Sequence, residues 1–252
     1  MAAVAVSELT ARLGGRTVLH GVSGRFEDGV VVLAGPNGAG KSTLLRVLAT
    51  LLAFGGAAEV AGCDLSTRPG RRQARQRLGF LPQEAAFPGE FTVEEAVGYS
   101  AWLHQVPAPE RRSRVAAAIE AVDLGARADE PLRTLSTGLR RRSFLAQAIV
   151  HQPPVLLLDE PTAGVDVEHR SEFRRMVRRL AEGRLVVLST HLTEEIEFLA
   201  DRVVVLSAGR VRFDGAPADL AAAVTATAGD ERRVEAALRH LTDENAVPEV
   251  GS

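Results

Sequence analysis

Apolar residues along the chain fall into two patterns. Short β-branched runs ending in a turn residue alternate with longer stretches in which apolar side chains recur every three or four positions. "VVVLAG", Val30 to Gly35, is of the first kind and predicts a buried strand. "KSTLLRVLATLL" is of the second, with Leu44, Leu45, Val47, Leu48, Leu51 and Leu52 on a helical period. "AAEVAG" and "LGFLP" read as short strands around an arginine-rich turn and helix from Pro69 to Arg77. From Thr92 to Val150 the pattern is mainly helical. "TVEEAVGYSAWLHQ" starts with Thr92 as N-cap and Glu95 at capping-box spacing. "VPAP" interrupts it, "ERRSRVAAAIEAVDLG" follows with Gly125 as its C-cap, and "LRRRSFLAQAIV" runs to the break at Pro153-Pro154. Beyond it "VLLLD", "VEHRSEFRRMVRRLAEG", "RLVVLST", "TEEIEFLA", "RVVVLS" and "RVRFDG" alternate strand with helix. Continuous apolar strands alternating with helices predict an α/β fold, a parallel sheet covered on both faces with a helical lobe inserted. After Gly215 the chain is alanine-rich. "ERRVEAALRHL" can form an amphipathic helix through Val234, Ala237, Leu238 and Leu241, and the last ten residues are expected to be disordered.

Composition narrows this picture. The chain has 252 residues, 46% hydrophobic and 25% charged, enough for a substantial core. A formal charge of −2 and a pI of about 6.3 argue against nucleic acid as the main partner. Cys63 is the single cysteine, so an internal disulfide is excluded and a reducing cytosol fits. The N-terminus lacks the basic start and apolar run of a signal peptide. The most apolar window, "VLATLLAFGGAAEVAG", is broken by Thr50, Gly55, Gly56 and Glu59 and is too interrupted to span a membrane. Cys63, Tyr99 and Trp102, in or beside the helical lobe, are expected to be packing residues. The arginine pairs and runs Arg71–Arg72 and Arg140–Arg142 are expected on solvated helix faces.

One residue breaks the compositional rule. Of thirty lysines and arginines only Lys41 is lysine, and it stands in "AGPNGAGKST". Gly35 to Ser42 fits G-x-x-x-x-G-K-[ST] between a strand and a helix, the context that the phosphate-binding loop requires. Its glycines let backbone N–H groups close on phosphate oxygens at a helix N-terminus. A compact ammonium suits the β/γ-phosphates there better than a planar guanidinium, and the Ser42 hydroxyl reaches Mg²⁺. Gly35, Asn37, Gly38, Ala39, Gly40, Lys41, Ser42 and Thr43 are therefore the expected nucleotide contacts. "VLLLDEP", Val155 to Pro161, ends an apolar strand with two carboxylates. Asp159 suits the Mg²⁺ shell, and Glu160 suits a base that orients water for in-line attack.

"LSTGL", Leu135 to Leu139, opens a helix about twenty residues before "LLLDE", and here the chain resembles the ATP-binding cassette (ABC) ATPases with their LSGGQ-type signature. Gln83 in "FLPQE" resembles the glutamine loop, "AGVD" (Ala163 to Asp166) the D-loop and His191 in "STHLTEE" the switch histidine. The resemblance covers about residues 4–215. It implies a P-loop NTPase (RecA-like) core, an antiparallel β lobe and an inserted helical lobe at about 84–150, with the ATPase domain at 1–220 and a short, partly disordered extension at 221–252. It further implies a head-to-tail dimer, of identical chains or of two similar ATPases, with each ATP between one phosphate loop and the other signature. Gln83 then links Mg²⁺ and the γ-phosphate to the helical lobe, His191 contacts the γ-phosphate, and Ser136 and Gly138 contact the partner's γ-phosphate. Three positions depart from the family: Thr137 for glycine, Leu139 for glutamine, and Leu13 where an aromatic residue commonly stacks on adenine.

Members that act on DNA insert coiled coils or zinc modules between the phosphate loop and the signature, and this chain has neither heptads nor cysteine pairs there. Members that act in translation carry two cassettes and basic linkers. A transporter subunit remains, peripheral on the cytoplasmic face of the membrane, with a separate transmembrane permease subunit as its partner. "LSTGLRRR" and "STHLTEEIE" resemble drug, antibiotic and bacteriocin exporters, so export is expected. An importer ATPase and a soluble ABC ATPase acting on a cytosolic macromolecule are the alternatives.

Overall fold

The computed structural model describes residues 3–164 and 167–222, together with Leu238 and Thr242. β1 (Val4–Leu13) and β2 (Arg16–Phe26) form an antiparallel hairpin. It turns through Gly14 and Gly15 at φ 56° and 81°, the two positive dihedrals that a two-residue turn of type I′ demands. β3 (Gly29–Ala34), α1 (Lys41–Leu48), β4 (Phe54–Val60), β5 (Cys63–Asp64), α2 (Arg68–Arg77) and β6 (Leu78–Leu81) follow. The helical lobe comprises α3 (Val93–Leu103), α4 (Ala108–Ala121) and α5 (Thr137–Ile149). The chain then alternates through β7 (Val155–Asp159), α6 (Val167–Leu180), β8 (Leu185–Thr190), α7 (Thr193–Leu199), β9 (Arg202–Ser207), β10 (Arg210–Gly215) and α8 (Pro217–Ala222).

Two sheets result. The antiparallel one has the order β2-β1-β4-β5, and the larger one β10-β9-β3-β8-β7-β6. In the larger sheet β9-β3-β8-β7-β6 are mutually parallel and only the edge strand β10 is antiparallel. Its parallel strands are near-continuous apolar runs because both faces are covered, whereas the edge strand β10 alternates charged and apolar residues. Val30, Val32, Leu156, Leu158, Val186 and Leu188 face a core shared with the helical lobe and α6. The alternate residues, Val31, Leu33, Val155, Leu157 and Val187 among them, face a second core shared with α1 and the antiparallel sheet. The period of two thus sorts one apolar run into two cores. The parallel strands β3 and β7, which carry the phosphate loop and the carboxylates, end at the same, C-terminal end of the sheet.

The capping box of α3 forms as expected, with Glu95 N–H donating to Thr92 Oγ1 at 3.1 Å and Thr92 N–H donating to Glu95 at 2.8 Å. Other expectations need correction. The helix predicted through Leu52 stops at Leu48, and Leu51 is exposed. Thr50 takes φ 64° while Leu51 N–H reaches Arg46 O (2.8 Å) and Thr50 N–H reaches Val47 O (2.9 Å), a Schellman closure without glycine. Arg75 fixes it by donating to Thr50 Oγ1 at 2.6 Å. Gly125 likewise is not the C-cap of α4. Asp123 adopts the left-handed φ of 56° instead, with Leu124 N–H on Ile119 O, and Gly125 begins a short 3-10 turn.

Tyr99 and Trp102 are not packing residues: they are 44% and 56% exposed. They continue an aromatic row with Phe87 and Phe91, with ring centroids 5.2 to 5.9 Å apart. Cys63 is buried, but in the antiparallel sheet and not in the helical lobe. Val234, Ala237 and Leu241 of the predicted C-terminal helix, and the last ten residues, lie outside the described residues. Leu238 packs half-buried against the core and, with Thr242, lines a small pocket beside Gly35, Pro36 and His191.

Candidate active site

The loop between β3 and α1 is held by close backbone approaches. Gly35 has φ 142°, and a Cβ there would lie 2.1 Å from the Leu206 carbonyl oxygen of β9. At Gly40, φ 104°, a Cβ would meet the Leu19 side chain at 2.7 Å. Only glycine fits either place. Gly40 is the N-cap of α1 and has no side-chain cap, so the first-turn N–H groups are left to a ligand. Pro36, Asn37 and Gly38 form the exposed rim, whereas Ala39, Lys41 and Thr43 are buried. The Lys41 ammonium donates to Gly35 O at 2.6 Å and Pro36 O at 3.0 Å. Burial lowers its pKa, against the attraction of Glu160 and Asp159.

β7 ends beside that loop. Asp159 is fully buried, and its Oδ1 accepts from Ser42 Oγ at 2.8 Å and from Ser189 Oγ at 2.7 Å. Its Oδ2 is buried with no hydrogen-bond partner. An orphaned carboxylate oxygen next to a serine hydroxyl is costly unless something fills its lone pairs. The all-oxygen set of Ser42 and Asp159 fits a hard divalent cation such as Mg²⁺ that takes its other ligands from phosphate and water. Glu160 follows at φ 44°, its N–H donating to Ser189 Oγ at 2.9 Å. Its side chain, 13% exposed, lies 3.3 Å from Nδ1 of the half-exposed His191. Lys41, Ser42, Asp159, Glu160 and His191 are thus gathered at the C-terminal ends of the parallel strands.

The remaining predicted residues sit on other elements. Gln83 is exposed just beyond β6, and its backbone carbonyl accepts from Arg141. Ser136 caps α5, accepting from Leu139 N–H at 3.3 Å, and Gly138 has open space where a Cβ would stand. Thr137 is exposed beside them. Leu13 ends β1 opposite Arg16 and is 47% exposed; Val18 and Leu19 of β2 abut the phosphate loop at Gly40. Ala163 and Gly164 lie in a turn, whereas Val165 and Asp166 of the D-loop are outside the described residues.

Several site residues escaped the sequence reading. Ser189 bridges Asp159 and the Glu160 backbone, and its only signal was its place at a strand end before His191. Thr162 donates to the buried Glu195, tying the segment after Glu160 to α7. The expectation of solvated arginines fails at Arg141 and Arg142, both 8% exposed, while Arg140 is on the surface. Arg142 pairs with Glu172 and Asp123, and Arg141 donates to four backbone carbonyls around Asp159.

Comparison with known proteins agrees with this arrangement. The chain is 37% identical over 221 residues to the Nod factor export ATP-binding protein I of Ralstonia nicotianae, covering 86% of this chain and 68% of that protein. It is 38% identical over 240 residues to the daunorubicin resistance ATP-binding protein DrrA3 of Streptomyces coeruleorubidus, covering 94% and 74%. Among solved structures, cbiO1 of Clostridium perfringens, part of the ABC transporter complex cbiONQ, superposes with a TM-score of 0.80 at 27% identity over 94% of each chain. Residues 19–163 match the family described as ABC transporter, and the chain belongs to that family.

Proposed function

We propose that the protein is a Mg²⁺-dependent ATPase that powers export through a separate membrane subunit. The observation that carries this reading is the convergence of Lys41, Ser42, Asp159 and Glu160, with Asp159 Oδ2 left unpartnered, at the C-terminal ends of the parallel strands. Lys41 and the N–H groups from Gly38 to Thr43 bind the phosphates of ATP. Ser42 and Asp159, with Gln83, would hold Mg²⁺, which neutralises charge on the phosphate oxygens. Glu160 takes the proton of the attacking water as the O–P bond forms and the bond to the β-phosphate oxygen breaks. His191, in contact with Glu160, orients that carboxylate and the γ-phosphate. Leu13 lies over the adenine. Ser136 and Gly138 act on the nucleotide of a second copy or of a similar ATPase, and the exposed cap of α5 with open space at Gly138 favours that role.

The relatives named for Nod factor export and daunorubicin resistance favour export. The family favours a peripheral position on the cytoplasmic face for such a subunit; no helix of the described residues is long and apolar enough to cross a membrane. The permease contact falls on the helical lobe at about 84–150 within a domain at 1–220. A cleft of about 530 Å³ between that lobe and the preceding segments is lined by Leu51, Leu81, Glu84, Ala85, Ser100 and His104. The exposed aromatics Tyr99 and Trp102 stand on α3, which also contributes Ser100 to the cleft. This combination suits an amphipathic cytoplasmic helix of the permease. Cysteines introduced near Phe87 or Phe91 should cross-link to a membrane subunit in native membranes. Cross-links to soluble proteins alone would remove the transporter reading.

A further inference from the structure

Parallel pairing of β6 with β7 runs from Leu78–Val155 to Leu81–Leu158 and stops there. Beyond that point no ladder pair joins the segment that carries Gln83 to the one that carries Asp159 and Glu160. Carbonyl groups there have no ladder partner from one segment to the other, and buried carbonyls need donors. Arg141 supplies them. Its Nη1 donates to Gln83 O at 2.7 Å, its Nη2 to Asp159 O at 2.8 Å and Glu160 O at 3.1 Å, and its Nε to Pro161 O at 3.3 Å. A planar guanidinium is the one side chain with enough donors, held in a rigid fork, to bridge acceptors on the two segments. The group is buried, and the nearby Asp159 and Glu160 carboxylates counter part of the cost of its desolvation, which still dominates.

The bond to Glu160 O matters because Glu160 sits at φ 44°, a left-handed conformation unfavourable for a non-glycine residue. Arg141 fixes the carbonyl of that residue from α5, the helix whose N-cap is Ser136. We propose that Arg141 is a positioning residue for ATP hydrolysis. It ties the signature helix to the backbone carrying Gln83 and Glu160, so that engagement of nucleotide at Ser136 and the orientation of Glu160 change together. This inference rests on the ATPase reading above. Arg141 touches no reacting atom. It acts through the backbone of the residue that does.

The test uses the full chain, with kcat expressed per mole of folded protein. Arg141→Gln, which cannot span the two segments, should lower kcat by about 10- to 100-fold and change the Kd for ATP less than about threefold. Arg141→Lys, which keeps the charge and part of the donor set, should recover at least about threefold of that loss. Combined with Ser136→Ala, the losses should be less than multiplicative, as coupled sites require. Should the Gln variant not fold, Arg141→Lys alone decides: a threefold or larger fall in kcat with the fold intact supports the role. Unchanged kcat in folded variants would overturn it, even with a lowered Tm, because a stabilising contact alone has that signature. A parallel loss of ATP binding overturns it as well, and fully multiplicative losses overturn the link to Ser136. If the wild-type chain hydrolyses no ATP, it is the functional reading that fails.

Discussion

Replacing Glu160 with glutamine removes a proton acceptor and little else. The two side chains have the same shape, and the site is 13% exposed, so no cavity forms. The Glu160 N–H keeps its bond to Ser189 Oγ at 2.9 Å, and the left-handed backbone at φ 44° costs the two residues the same. A glutamine oxygen can still meet His191 Nδ1, now 3.3 Å from the carboxylate. What is lost is proton transfer in the transition state, typically 10²- to 10⁴-fold in rate. That corresponds to about 3–5 kcal/mol added to the barrier. Removal of one negative charge beside Lys41 eases the approach of a polyanion, so ATP affinity should be equal or tighter. Phosphate release at saturating Mg-ATP, with nucleotide titration and size exclusion in parallel, gives all three quantities. The expected result is slow turnover, intact binding and an ATP-trapped dimer. Turnover within twofold of wild type would refute the assignment of Glu160 as base.

Two further perturbations separate other parts of the reading. Leu13→Tyr adds a π-face at an exposed strand end; aromatic–base stacking is worth about 1–3 kcal/mol, and leucine already supplies part of that by apolar contact. Affinity for ATP should therefore tighten roughly three- to tenfold, whereas unchanged affinity in both Leu13→Tyr and Leu13→Ala would show that Leu13 does not touch the base. His151 stacks on His104 with ring centroids 3.7 Å apart, and burial, helped by His104, lowers its pKa from 6.5 to about 4. The folded pKa lies below the unfolded one, so the unfolded chain takes the proton first and stability is lost as pH falls from 6.5 toward 4. About 2 kcal/mol of that loss should fall between pH 7.5 and pH 5. Urea unfolding at both pH values should show it, and a loss of the same size in His151→Phe would rule His151 out as its source.

Whether a feature was legible in the sequence depended on whether its cause was local. Thr92 and Glu95 announce the start of α3 because both partners of the capping box lie within four residues. The strands β3, β7, β8 and β9 are continuous apolar runs because both faces of the sheet are covered. Helix ends at Thr50 and Asp123 were not legible, since left-handed residues other than glycine close them and tertiary contacts such as Arg75 hold them. The exposure of Trp102 and Tyr99 was hidden for the opposite reason: an aromatic residue on a helix carries the same letter facing a core or facing a partner. Loop chemistry and strand-end position single out Lys41, Ser42, Asp159 and Glu160, which the structure brings together. Ser189 and Arg141 are not singled out, because their function is to bond backbone or carboxylate groups from distant segments. A run of arginines looks solvated until the acceptors that bury one of them are known.

The contrast between Lys41 and Arg141 explains the lone lysine in physical terms. At Lys41 the acceptors converge: an ammonium has three N–H donors, and Gly35 O and Pro36 O take two of them at 2.6 and 3.0 Å. One donor is left for an anion at the mouth of the loop. Both carbonyls belong to the loop itself, and Gly35 is pressed so close to the Leu206 carbonyl that a methyl group would overlap it. At Arg141 the acceptors diverge, spread along two strand ends from Gln83 to Pro161, and a point charge could satisfy only part of them. Where a chain uses arginine almost everywhere, lysine survives at the position whose acceptors demand a single point of positive charge. The same reasoning predicts the asymmetry of exchange at the two sites. A guanidinium at position 41 would have to leave the loop, whereas an ammonium at position 141 stays in place and loses only part of its partners.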